Sequence, residues 1–143
     1  MKRVVIDASV VLKWYLLDEE EGQSALSILD GYVSDRVALI APALLEFEVA
    51  SGLAIAKRRG RVQDEDVLRA MDGFLGLGIE LKPLTRLFPK ILEYCGKFNL
   101  SAYDASYVAL ADNQKTLLVT ADKRLLNAAN KLKFVKRLNE FRD

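Results

Sequence analysis

The stretch RVVI, residues 3–6, is short, β-branched and not alternating, the pattern of a strand buried on both faces of a parallel sheet. Parallel strands need a crossover between them, usually a helix. A helical pattern follows RVVI directly. GQSALSILDGYVS, residues 22–34, then carries an apolar stripe at helical spacing before the next strand, Val37–Ile40. APALLEFEVASGLAIAKRR predicts a helix that starts at Pro42, where proline's missing N–H costs nothing, and runs to about Arg59 with Gly60 as its stop. A helix over 63–77 opens on Asp64, Glu65 and Asp66, and Gly78 separates it from a short strand at Ile79–Leu81. Residues 86–98 predict a helix interrupted near its start by Pro89, residues 102–113 another, Leu117–Thr120 a strand and 122–130 a last helix. The alternation predicts an α/β fold: a three-layer sandwich in which helices flank a central parallel sheet.

A chain of 143 residues with no stretch rich in Pro, Gly or Ser suits a single domain over 1–143. No apolar run approaches the roughly 18 residues that span a bilayer, and Asp7 cuts the first run short of a signal peptide. The expectation is a cytoplasmic protein with no membrane association. Cys95 is the sole cysteine, which excludes an internal disulfide or a multi-thiolate zinc site, and its apolar helical surroundings read as those of an inert thiol.

The chain contains no histidine. That removes Ser-His and Cys-His dyads, His-ligated zinc and the ordinary neutral-pH proton shuttle. Any catalysis must come from carboxylates, lysines or a hard metal ion. Net charge is only +1, yet Lys57-Arg58-Arg59-Gly60-Arg61 is a basic cluster, and six basic side chains with no acidic one lie between Lys123 and Arg137. Unless a site lies nearby, these read as a solvated helix end and a soluble tail.

Aspartate ends two strands, in VVID at Asp7 and in LLVTAD at Asp122. In a parallel sheet those ends share one edge, beyond which ligands bind in open α/β folds. Helix capping would explain either residue alone. Asp104 follows Ser101 at a spacing that resembles a capping box, but it shares a helical face with Tyr107, Val108 and Ala111 and so points inward. On the helix after Pro42, counting about 100° per residue aligns Glu48 with Leu44, Leu45, Gly52 and Ile55, and sends Glu46 to the opposite, exposed side. An ionised group in a core-facing stripe is costly. Four such acids would repel one another, so either some are protonated or a cation joins them. Oxygen ligands without His or Cys suit Mg²⁺ or Mn²⁺.

VVIDASVVLKWYL, PALLEFEVASGL, LSAYDASYVALA and LLVTADKRLL, in this order, resemble the PIN domain ribonucleases, especially the VapC-type toxins of toxin–antitoxin pairs. The resemblance runs from the first strand nearly to the C-terminus. It implies a parallel α/β sheet with an acidic cluster at one edge that binds Mg²⁺ or Mn²⁺ and cuts RNA. Carried over by position, the catalytic and metal-holding acids fall on Asp7, Glu48, Asp104 and Asp122; Glu48 precedes Val-Ala, six residues after Pro42. Ser9 and Thr120 match supporting hydroxyls, while Ser51 stands where relatives often have Asn. Lys123 and Arg124 would guide the RNA backbone, unless they are simply exposed residues of a first helical turn. A homodimer and a small antitoxin protein are further implications, with the helices at 42–56 and 63–77 as contact surfaces if their apolar residues are not core. The rival readings are a PIN nuclease of RNA processing outside toxin–antitoxin systems, a non-catalytic Mg²⁺-binding module of flavodoxin or receiver type, and an inactive scaffold. All metal readings require the oxygens of Asp7, Glu48 and Asp104 to come close enough to share an ion.

Overall fold

The computed structural model describes residues 1–143. Strand β1 is Lys2–Ile6, β2 Val37–Pro42, β3 Glu80–Lys82, β4 Leu117–Thr120 and β5 Val135–Arg137. They form one sheet in the order β3-β2-β1-β4-β5, and every adjacent pair is parallel. Val4, Val5 and Ile6 are all fully buried; three consecutive side chains can be buried only if both faces of the central strand are covered. Helices supply that cover: α1 (Ala8–Tyr15), α2 (Gly22–Val33), α3 (Leu45–Arg58), α4 (Asp64–Gly76), α5 (Phe88–Phe98), α6 (Ala102–Gln114) and α7 (Lys123–Ala128). Helix α6 lies against β1, β2 and β4 and is backed by α5, while α1 packs on α2 and α3. Its residues Ala105 to Ala111 are all buried, which explains their small and apolar character. This is the α/β architecture expected from the alternation of strands and helices.

Two boundaries differ from expectation. Pro42 does not open a helix: it ends β2, paired in register with Lys82. The amide of Ala43 carries the ladder on by donating to the Lys82 carbonyl at 2.9 Å, and α3 begins only at Leu45. Proline is tolerated at that strand end because the next amide makes the bond that proline cannot. Nor does Pro89 interrupt a helix. A 3-10 turn at Thr85–Leu87 leads into α5, where Pro89 occupies the second position, another site whose amide would have no partner inside the helix.

The C-terminus was read as a soluble tail, and the structure corrects this. Val135–Arg137 adds an edge strand beside β4, Leu138 is fully buried and Phe141 nearly so. Helix α3 turns Leu45, Val49, Leu53 and Ala56 into the core, so most of its apolar character is core, although Phe47 is 80% exposed. Gly60 stops the helix as expected, with φ of 74°, a left-handed conformation that other residues adopt at a cost. No helix is long and apolar enough to cross a membrane.

Candidate functional site

Register brings the first two acids together. Ile6 lies opposite Val119, so the residue after β1, Asp7, comes beside the last residue of β4, Thr120. Asp7 is buried, and its Oδ2 accepts from Thr120 Oγ1 at 2.5 Å. Its Oδ1 accepts from the Ser9 amide at 3.1 Å and from Ser9 Oγ at 2.5 Å. Toward the ionised carboxylate, which can only accept, both hydroxyls act as donors, and each in turn accepts a backbone amide: Ala121 N to Ser9 Oγ at 2.9 Å and Asp122 N to Thr120 Oγ1 at 3.0 Å. Ser9 and Thr120 thus tie the ends of β1 and β4 together and aim two O–H groups at one carboxylate.

Asp122 is half-buried and caps α7, its Oδ1 accepting from the amides of Arg124 at 3.0 Å and Leu125 at 3.3 Å. Its other oxygen makes no hydrogen bond. Asp104 sits in the first turn of α6. Ser101 Oγ caps the Asp104 amide at 3.1 Å and also helps to lower the Asp104 carboxyl, but no reciprocal bond from the carboxylate to the Ser101 amide closes a capping box. The exposed guanidinium of Arg124 reaches it at 3.6 Å. Glu48 is half-buried on α3, and its Oε1 accepts from the Tyr107 hydroxyl at 2.6 Å. Glu46 is half-buried like Glu48 and has no ion pair or hydrogen bond, so the fully exposed side expected for it is not what the fold gives.

Asp7, Glu48 and Asp104 feel the charges of neighbouring acids. Burial, reinforced by the charges of Asp122 and Asp104 and opposed by the Ser9 and Thr120 hydroxyls, pushes the Asp7 carboxyl up to about 6. Burial first, then the charges of Asp104 and Asp122, raises Glu48 against the Tyr107 hydrogen bond. Asp104 is raised by burial and by Asp122, and lowered by Arg124. Apart from Arg124 on Asp104, no cationic side chain contacts any of them. The charges of Asp104 and Asp122 reach Asp7 and Glu48, but no three of the acids converge as a ready-made metal cluster, so the shared-ion geometry that the sequence reading requires is not preformed. Uncompensated carboxylates repel; Asp7, Glu48 and Asp122 have each found a local hydroxyl or amide partner instead, and Asp104 the guanidinium of Arg124. The donor set is nonetheless hard oxygen throughout, which fits a Mg²⁺ or Mn²⁺ ion that keeps part of its own water shell.

In the sequence Tyr107 shows only as part of an apolar stripe, and no sequence signal marks the Arg124–Asp104 pair. Lys123 and Arg124 lie exposed at the start of α7 beside Asp122, Lys123 within 3.9 Å of Glu20. Ser51 is exposed and makes no side-chain hydrogen bond.

Comparison with known proteins agrees with this architecture. The chain is 41% identical over 122 residues to the VapC ribonuclease Mb0985 of Mycobacterium bovis, covering 85% of this chain and 87% of the relative. The crystal structure of PAE2754 from Pyrobaculum aerophilum superposes with a TM-score of 0.71 at 23% identity, over 97% of this chain and 85% of that one. A toxin–antitoxin complex from Klebsiella pneumoniae contains a chain that superposes with a TM-score of 0.63 at 14% identity, over 94% and 97% of the two chains. At those identities the two structures speak for the fold. The family model of the PIN domain matches residues 4–131, and with its VapC relatives this places the chain in the PIN domain family.

Proposed function

We propose that this chain is a divalent-metal-dependent endoribonuclease that hydrolyses RNA phosphodiesters and serves as the toxin of a toxin–antitoxin pair. What supports the reading is that the charges of Asp104 and Asp122 bear on the carboxyls of Asp7 and Glu48 although the four acids come from separate segments, without their forming a preformed metal cluster. A receiver-like or flavodoxin-like module has no use for Glu48. The relatives named VapC ribonucleases support the choice of substrate.

In this reading the four acids hold Mg²⁺ or Mn²⁺, whose chemistry when bound is to polarise a phosphate and activate an attacking water. The chain's own residues do the rest. Ser9 and Thr120 keep Asp7 in one orientation and favour its ionised form. Asp122 offers the oxygen that capping leaves free. Lys123 and Arg124 guide the RNA backbone as mobile cations of a rim, and Arg124 exchanges Asp104 for a phosphate as substrate enters. A small antitoxin protein and a second copy of the chain are the proposed partners, the whole chain 1–143 acts as one domain, and the cytoplasm is the proposed location.

The test is cleavage of single-stranded and structured RNA by the purified protein with Mg²⁺, Mn²⁺ or EDTA. Cleavage should require the metal and disappear in Asp104→Asn, with circular dichroism unchanged. Cleavage that persists in EDTA, or in the folded variant, overturns the proposal.

A further inference from the structure

Glu48 is held differently from Asp7. Asp7 has two hydroxyls and a backbone amide on its oxygens, whereas Glu48, with a longer and more mobile side chain, has one hydrogen bond, from Tyr107 to Oε1 at 2.6 Å. Tyr107 is 1% exposed in the middle of α6, and the Glu48 carboxylate is the sole hydrogen-bond partner of its hydroxyl. Packing alone would be satisfied by phenylalanine. The phenolic oxygen is useful only toward Glu48.

The position of Tyr107 adds a second point. It stands one turn beyond Asp104 on the same helix, and α6 is fixed by its contacts with β1, β2 and β4. One rigid element therefore carries both a site acid and the donor that orients an acid from α3.

We infer that Tyr107 is a positioning residue: its buried hydroxyl fixes the rotamer of Glu48, leaving Oε2 free to face the acidic crevice, and thereby sets the affinity of the site for a divalent cation. The inference rests on the metal-binding reading proposed above. It assigns Tyr107 no contact with RNA and no proton transfer. Residues that orient a metal-holding side chain contribute about 10–100-fold in affinity.

The experiment is a titration of the full chain with Mn²⁺, followed by electron paramagnetic resonance of the free ion, for the wild type, Tyr107→Phe, Glu48→Gln and the double variant. Tyr107→Phe should bind Mn²⁺ about 10-fold more weakly, at the lower end of that range. In the Glu48→Gln background it should cause no further loss, because the carboxylate it acts through is gone. Circular dichroism and melting in EDTA establish folding. Should Phe not be tolerated, Tyr107→Met, a smaller but flexible filler without a donor, gives the same readout. Equal Mn²⁺ affinity in wild type and Tyr107→Phe overturns the inference, as does an equal loss in both backgrounds, which marks a general packing effect. A wild type that binds no Mn²⁺ overturns the metal reading itself and this inference with it, and is distinguished by appearing before any variant is compared.

Discussion

Replacing Asp7 by asparagine should stabilise the metal-free protein at neutral pH while abolishing cleavage. The sign follows from the raised pKa. The Asp7 carboxyl has an ordinary value of 3.8 and lies at about 6 in the fold, so the folded state prefers its protonated form. Stability is unaffected by this group below about pH 4, falls as pH rises through 6, and is lowest above it. A shift of about 2 units corresponds to about 3 kcal/mol of penalty at pH 8. Asparagine carries no charge to desolvate, still accepts from the Ser9 amide and can donate to Thr120 Oγ1. Its hydrogen bond from the Ser9 hydroxyl is weaker than that to a carboxylate, and the Thr120 hydroxyl loses its acceptor, which reduces the gain to about 2 kcal/mol. For a chain of this size that is roughly 6 °C in melting temperature. The assay is thermal unfolding in EDTA at pH 8 and pH 4. The variant should melt higher at pH 8, with the difference nearly gone at pH 4. Addition of Mg²⁺ should raise the wild type and leave the variant behind, as ligand binding to the folded state requires. A variant that melts lower than wild type by the same margin at both pH values would refute the argument that an uncompensated buried carboxylate opposes folding here.

Two other substitutions probe separate parts of the structure. Thr120→Val removes the acceptor of the Asp122 amide and a donor to Asp7; it should cost about 1–3 kcal/mol in urea unfolding and lower cleavage at limiting Mg²⁺ about 10-fold or more, and a variant with wild-type stability and activity would show that the hydroxyl is dispensable. Leu138→Ala, at a fully buried position, should cost about 2–5 kcal/mol; a cost within the roughly 0.5 kcal/mol usual for a surface site would mean that the C-terminus does not pack.

The central architecture was legible because its signals are regional. Val4–Ile6 and Leu118–Thr120 are buried on both faces and show it by runs of apolar, β-branched residues, and the helical stripes between them leave few alternatives. Local features were less clear. Pro42 has a fixed φ that suits both a strand end and a helix start, and only the register with Lys82 decides between them. The last strand was invisible because it is three residues long, lies at the edge and contains Lys136 and Arg137, charged in the manner of protected edges. The burial of Leu138 and Phe141 depends on contacts distant in sequence. Among the site residues, Glu48 and Asp104 stood out as charges inside apolar stripes. Tyr107 did not, because a tyrosine in such a stripe looks the same whether its oxygen meets a carboxylate or solvent.

Capping and function are not rival explanations of these acids. Asp7 and Asp122 are the N-caps of α1 and α7, and Glu48 and Asp104 lie in the first turns of α3 and α6. All four therefore sit at the positive end of a helix, where a carboxylate gains about 0.3–1 kcal/mol. Parallel topology makes this possible: the strands end at one rim, and the helices that begin there direct their free amides toward it. Four such contributions sum to a few kcal/mol, comparable to the penalty on Asp7, so the fold can carry a cluster of like charges without a bound cation. Capping also engages one oxygen of Asp122 and leaves the other unbonded. A helix start is thus a favourable place for an acid that must be held firmly and still offer an oxygen to a ligand.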